Sequence, residues 1–331
     1  MHGSSTQTRL SLRRNTNRPL AFILLLTTIL LSLAALGVLA SSGDRQPIFS
    51  TCVKKCIKVD CAQNTLPFHL RLLQWTCESN CDYKCQRQIA RAAQQAGRKV
   101  HQYHGKWPFV RILGVQEPAS VLFSVLNGLM HLKNWSMVRA LPRSHPMRRW
   151  LSVFIVLGTW TWFCSAVFHV RDFPLTEKLD YFSAGFNVLY MLFLAIVRML
   201  RLDTWEQTRK VALACAIPYV LHVAYLSLVR FDYGYNMAAN AAVGLLSNVA
   251  WFVVAVQAHR NGQPFWWKPA VLMLAMDLAF SLEAFDFPPF FDTLDAHSLW
   301  HAATIPIVTH WYDYLVKDAK WDLHLEQLRK N

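Results

Sequence analysis

The chain of 331 residues is 53% hydrophobic, holds 13 Trp and 20 Phe, and carries charge at only 16% of its positions. That is too apolar for an ordinary soluble domain and points to an all-α, polytopic membrane protein. A formal net charge of +14 invites a nucleic-acid reading. The bases, however, collect in short connections between apolar segments, as cytoplasmic loops do, and nucleic acid is not an expected partner.

In chain order, the first element is a targeting segment, residues 1–40. Arg9, Arg13, Arg14 and Arg18 precede an apolar run from Leu20 to Ala40 that ends in small residues. This fits a cleaved secretory signal. The run is also long enough to be a retained signal anchor, which needs about 20 residues. Either reading admits the chain to the secretory pathway.

Residues 41–112 form a cysteine-rich region containing Cys52, Cys56, Cys61, Cys77, Cys81 and Cys85. Six cysteines in a short polar stretch behind a secretory signal predict a disulfide framework, with about 15 possible connectivities. Separations of three or four residues do not match the tight pairs of common zinc sites, and the compartment is oxidising. Cys164 and Cys215, within apolar segments, read as buried free thiols.

Seven apolar segments follow, near 113–132, 150–170, 178–200, 211–229, 237–258, 269–284 and 296–316. Each approaches the length of a membrane span. The domain expectation is therefore a signal at 1–40, a lumenal cysteine-rich region at 41–112, seven transmembrane helices over 113–316 and a cytosolic tail, 317–331.

Loop charge orients the spans. Arg139, Arg143, Arg148 and Arg149 follow the first; Arg201, Arg209 and Lys210 the third; Arg260 and Lys268 the fifth; Lys317, Lys320, Arg329 and Lys330 the last. The intervening loops are poorer in bases, and 285–295 holds only acids. Alternate loops are then cytosolic and the cysteine-rich region lumenal. The Asn134-Trp135-Ser136 sequon falls on the cytosolic side and is expected to stay unmodified, a check on this topology.

This topology brings His169, Asp180, His297 and His301 to the lumenal end, with Ser165 one turn below His169. His297 and His301 are four apart and share a helix face, as do Ser165 and His169. Three neutral imidazoles with an open fourth position form the ligand set of a catalytic zinc site. Imidazole suits Zn²⁺ better than it suits Mg²⁺ or Ca²⁺. Asp180 can serve as general base, and Ser165 can bind the attacking water or the oxyanion of an attacked ester. No Gly-x-Ser-x-Gly elbow surrounds Ser165, so it need not be a nucleophile. The structural alternatives are that the histidines bond neighbouring helices, that Ser165 bonds its own backbone, and that Asp180 favours a helix dipole. Asp295 can cap the last helix or support a ligand histidine. The remaining histidines read as structural.

The set Ser165-x3-His169, Asp180 and His297-x3-His301 resembles the membrane hydrolase superfamily of alkaline ceramidases and progestin and adiponectin receptors. Within it, the chain looks like the Per1-like family that remodels the lipid of glycosylphosphatidylinositol (GPI) anchors after attachment to protein. The carriers of that resemblance are "HQYHGKWPFVRILGVQEPASVLFS", "SAVFHVRD", "EKLDYFSAG" and "DAHSLWHAATIP", with the six cysteines. It implies a seven-span protein of the endoplasmic reticulum, or alternatively the Golgi, that removes the sn-2 acyl chain of a GPI lipid. His169, His297 and His301 would be metal ligands, Ser165 and Asp180 auxiliary groups, and GPI-anchored proteins and their lipid the partners. The hydrophilic tail shows no GPI-attachment signal. Other classes consistent with the residues are a ceramidase-like amidase, a receptor or chaperone with a structural zinc, and a metal transporter. The large cysteine region disfavours the first. The last is disfavoured because transport sites lie near the midplane.

Overall fold

The computed structural model describes residues 41–62 and 66–330. The predicted signal, residues 1–40, lies outside them.

Two helices make the cysteine-rich region: α1 (Pro47–Asp60) and α3 (Cys77–Gln95), joined through the short α2 (Phe68–Leu72). Cys52 and Cys56 on α1, and Cys77, Cys81 and Cys85 on α3, are spaced by four and lie along one face of each helix, while Cys61 stands at the C-terminal cap of α1. The two faces meet in a nested ladder, Cys52–Cys85, Cys56–Cys81 and Cys61–Cys77. All six predicted disulfide cysteines are thereby used. A region this small cannot bury enough apolar surface to hold itself together, and the ladder supplies the missing constraint. Thr76 and Ser79 close a capping box at the start of α3.

The bundle is built from α4 (Pro118–Lys133), the short α5 (Trp135–Arg139), α6 (Pro146–Val170), α7 (Pro174–Met199), α8 (Trp205–Ala224, continued by a π-turn at Tyr225–Val229), α9 (Tyr233–Arg260), α10 (Lys268–Phe285) and α11 (Ala296–Lys330). Proline stands in the first turn of α4, α6, α7 and α10, where its missing N–H is no loss. Contacts close α4, α6, α7, α9, α10 and α11 into a ring, in that order, and α8 lies outside it against α7.

All seven predicted apolar segments contain a helix, the first of them from Pro118 onward rather than from 113. Four helices are long and apolar enough to cross a membrane: α6, α7, α8 with its π-turn, and α9. Of the other three, α4 is shorter, at 16 residues, while α10 and α11 are diluted by polar residues they pair or bury: Asp277 and Glu283 on α10, His297 and His301 on α11. The helix α11 continues without a break through the predicted tail to Lys330.

Cys164 and Cys215 are buried and free. The sequon does not serve as a topology check: Asn134 is buried and its amide donates to the Met130 carbonyl at 2.7 Å. At the core, Gly158 is required by close approach. A Cβ there would lie 2.1 Å from the His131 ring, whose Nδ1 meets the Tyr312 hydroxyl at 2.8 Å.

Candidate metal centre

Helices α6 and α10 end, and α4, α7 and α11 begin, at one end of the bundle. Each contributes there. His169 is in the last turn of α6, while His297 and His301 are in the first two turns of α11. Asp295 fixes the start of α11: its carboxylate accepts from the Ser298 N–H at 2.9 Å, and its own N–H donates to Ser298 Oγ. Its role is therefore the cap.

The three rings converge. Their centroids lie 4.5 to 5.1 Å apart, and one nitrogen from each lies within 4.8 Å of the other two. Each Nδ1 is engaged from outside the cluster. That of His169 donates to Glu117 Oε2 at 2.8 Å, that of His297 to Glu283 Oε2 at 2.7 Å, and that of His301 meets Ser124 Oγ at 3.1 Å. A carboxylate on Nδ1 fixes the tautomer and leaves Nε2 as a lone-pair donor. The Nε2 atoms of His169 and His297 then face each other at 3.3 Å. Two such acceptors repel unless they share a cation or proton. Two imidazoles on one tetrahedral ion, at about 2.0–2.1 Å each, hold their nitrogens about 3.3 Å apart. The donor set fits a divalent ion.

The supports of these rings come from elsewhere in the chain. Gln116 and Glu117 pair through backbone with the end of α6: Gln116 N donates to Val170 O and Glu117 N to His169 O, both at 3.0 Å. Glu117 is held in turn by Lys106, whose ammonium lies 2.7 Å from Glu117 Oε1 and 2.9 Å from Asp172 Oδ2. Burial works against the charge on Lys106, but these two carboxylates outweigh it and hold its pKa above the ordinary value. Glu283 also accepts from the Tyr233 hydroxyl at 3.0 Å. Asn127 donates to the His301 carbonyl at 2.8 Å and locks α11 against α4.

Ser165 is buried and hydrogen-bonded to Ser124 at 3.1 Å, so a pair of hydroxyls flanks His301. Asp180, in the second turn of α7, shares its electrostatic environment with His169 and His297. Among the described residues its carboxylate hydrogen-bonds to none of the three rings. His169 and His301 are sealed in, whereas the His297 side chain is 34% exposed and marks the open side.

Glu117, Glu283, Ser124 and Lys106 escape a reading of the sequence. Only Glu283 leaves a signal there, as an acid inside the apolar run 269–284.

A closed ring of helices, several of membrane length, that gathers three histidines and their carboxylates at one end defines a helical membrane protein with a group of histidines placed so that they could hold a metal ion. The chain belongs to the Per1-like family, whose profile matches residues 67–319. It is 40% identical over 295 residues to the protein PER1 homolog of Schizosaccharomyces pombe, covering 86% of this chain and 89% of that protein. Two vertebrate proteins are named GPI-specific phospholipase A2-like PGAP3. The chain is 40% identical to that of Danio rerio and 39% identical to that of Homo sapiens, each over 299 residues, 88% of this chain and 93% of the relative. No solved structure matches it.

Proposed function

We propose that this protein remodels GPI anchors by metal-dependent hydrolysis of the sn-2 acyl ester of the GPI lipid after its attachment to protein. The observation that carries the reading is the convergence of three imidazoles whose outer nitrogens are already held by Glu117, Glu283 and Ser124. The names of the relatives support the substrate class.

His169, His297 and His301 would hold the ion, and three imidazoles favour Zn²⁺. When bound, the ion supplies Lewis-acid polarisation of the ester carbonyl and a nucleophile at neutral pH. Asp180, free of any hydrogen bond to the rings, is available to take a proton from the attacking water. Ser165 offers a hydroxyl to the oxyanion, with Ser124 fixing its orientation.

In this reading α4 and α6 to α11 are seven spans, and the basic loops face the cytosol. The site end and the disulfide region then face the lumen of the endoplasmic reticulum, or of the Golgi, behind a signal at residues 1–40. A GPI ester at headgroup depth would lie level with His297.

The test is mass spectrometry of GPI lipids from cells lacking the protein, complemented with variants. Wild type is expected to restore loss of the sn-2 chain. His301→Ala is expected to lose both bound zinc and remodelling, and normal remodelling in that variant would sink the proposal. Asp180→Asn is expected to keep the metal but lose turnover by about 10²–10⁴-fold. Full activity there would reduce this carboxylate to a structural role.

A further inference from the structure

Among the described residues, seven non-glycine positions adopt left-handed backbone, and five of them are polar or charged. The two apolar ones, Leu113 (φ 52°) and Phe291 (φ 54°), are also among the most exposed apolar side chains, at 79% and 89%. An exposed left-handed position is met more cheaply by Gly or Asn. A leucine and a phenylalanine there point to a use for the side chain.

The two positions are built alike. Leu113 tips a turn closed by the bridge between Ile112 and Val115, and Phe291 tips one closed by Phe290 and Leu294. Each stands five residues before a helix start, Leu113 before Pro118 of α4 and Phe291 before Ala296 of α11. These helices are neighbours in the ring, and the stretch of chain entering the first turn is joined to the second turn where Val110 N donates to Asp292 O at 2.9 Å. The polarity of the second turn is inverted relative to a loop in water. Asp292 folds back onto Arg87 at 2.7 Å and Gln94 at 2.9 Å, while Phe290 and Phe291 face outward. Below the first turn, the exposed Leu122, Val125 and Leu129 continue an apolar stripe down α4.

The geometry points to a paired membrane wedge: Leu113 and Phe291, with Ile112 and Phe290, insert into the acyl region of the leaflet surrounding the site end. This rests on the reading that the bundle crosses a membrane. The wedge fixes the disulfide region at the bilayer surface rather than free in the lumen, and holds the open side of the histidine cluster at the depth of a lipid ester.

The experiment uses the full chain in phosphatidylcholine vesicles, with Cys164 and Cys215 replaced by alanine. A nitroxide is placed singly through Leu113→Cys, Phe291→Cys, Val156→Cys on the exposed face of α6, or Lys55→Cys on α1. Power-saturation spectroscopy compares collision with oxygen, which enters lipid, and with a neutral nickel chelate, which stays in water. Oxygen-dominated collision at 113, 291 and 156, with nickel-dominated collision at 55, is expected. Nickel-dominated collision at 113 and 291, or shielding from both reagents by a protein contact, overturns the wedge. Nickel-dominated collision at 156 overturns the membrane reading instead. Hydroxyl-radical footprinting of the wild-type protein guards against misfolded variants. Phe291 is expected to be oxidised several-fold less in vesicles than in urea, and equal labelling counts against insertion.

Discussion

At one end of the bundle Arg198 is clasped by Asp318 and Asp322, and Gln263 donates to Asp318 at 3.0 Å. At the other end His169 and His297 are each held by a carboxylate from outside and turn their remaining nitrogens toward each other. Both clusters are polar groups buried among apolar helices. In the first, both carboxylates close on one guanidinium, so the charges meet each other in a clamp between α7, α11 and the turn before α10, with Gln263 Oε1 left without a hydrogen bond among the described residues. In the second, the carboxylates orient the rings, and the Nε2 atoms of His169 and His297 are turned toward a common point where a cation or a proton can join them. Burial alone therefore does not separate a structural polar cluster from a chemical one. What separates them is whether the polar groups satisfy each other or are aimed at a common point.

The sharpest way to break that contrast is at the clamp. Arg198→Ala leaves Asp318, whose side chain is 2% exposed, without its main partner. Removing one member of a buried pair costs about 3–5 kcal/mol, whereas an apolar replacement of both is near neutral. The expected outcome is a large drop in thermal stability in detergent for Arg198→Ala and partial recovery in Arg198→Met with Asp318→Leu, where the part-exposed Asp322 is left to water, both with bound metal unchanged. A double variant that folds but fails to bind metal would mean the two ends are coupled, and the contrast would fall.

A smaller effect is expected at Glu117. Glu117→Gln keeps the shape of the contact to His169 but removes the charge that fixes its tautomer, and Lys106 loses a counter-ion. Losses of such supporting groups lower metal affinity by about 10–100-fold. Competition with a chelator reads this directly, and Lys106→Met, acting one contact further out, should weaken binding less. Unchanged affinity in Glu117→Gln would make that carboxylate part of a structural ion-pair network like the one around Arg198.

The same contrast explains what was legible in the sequence. Apolar runs of helical length carry their own signal, so the seven segments were readable, as was the six-cysteine set. The histidines could be placed together because loop charge assigns each span end to a side, and His169, His297 and His301 all fall at span ends. Their supports could not. Glu117 reaches His169 only because residues 116 and 117 pair with the last residues of α6, and Lys106 arrives from an irregular segment. Neither relation has a periodicity. The ladder Cys52–Cys85, Cys56–Cys81 and Cys61–Cys77 depends on α1 and α3 lying side by side, which spacing alone leaves open.

The smallest effect lies between the two cases, in a charge pair located at the site end. Asp292 on the turn before α11 accepts from Arg87 and Gln94 of α3. The hydrogen bond from Arg87, reinforced by Gln94, holds the Asp292 carboxyl below its ordinary value despite partial burial. A carboxyl with a depressed folded pKa contributes stability that is present in full above its unfolded value, about 3.9, and is lost as pH falls through the folded pKa. Docking of the disulfide region should therefore hold from neutral pH down to about 4 and loosen only below it. Hydrogen exchange of α3 at pH 6 and near pH 3 reads the difference, and Asp292→Asn should abolish this pH response while leaving the disulfides intact. Exchange in α3 that instead changes between pH 6 and 8 would shift the responsible group to His104. Its hydrogen bond to Asp82 raises its pKa, and its contribution is present below about 6.5 and lost as pH rises.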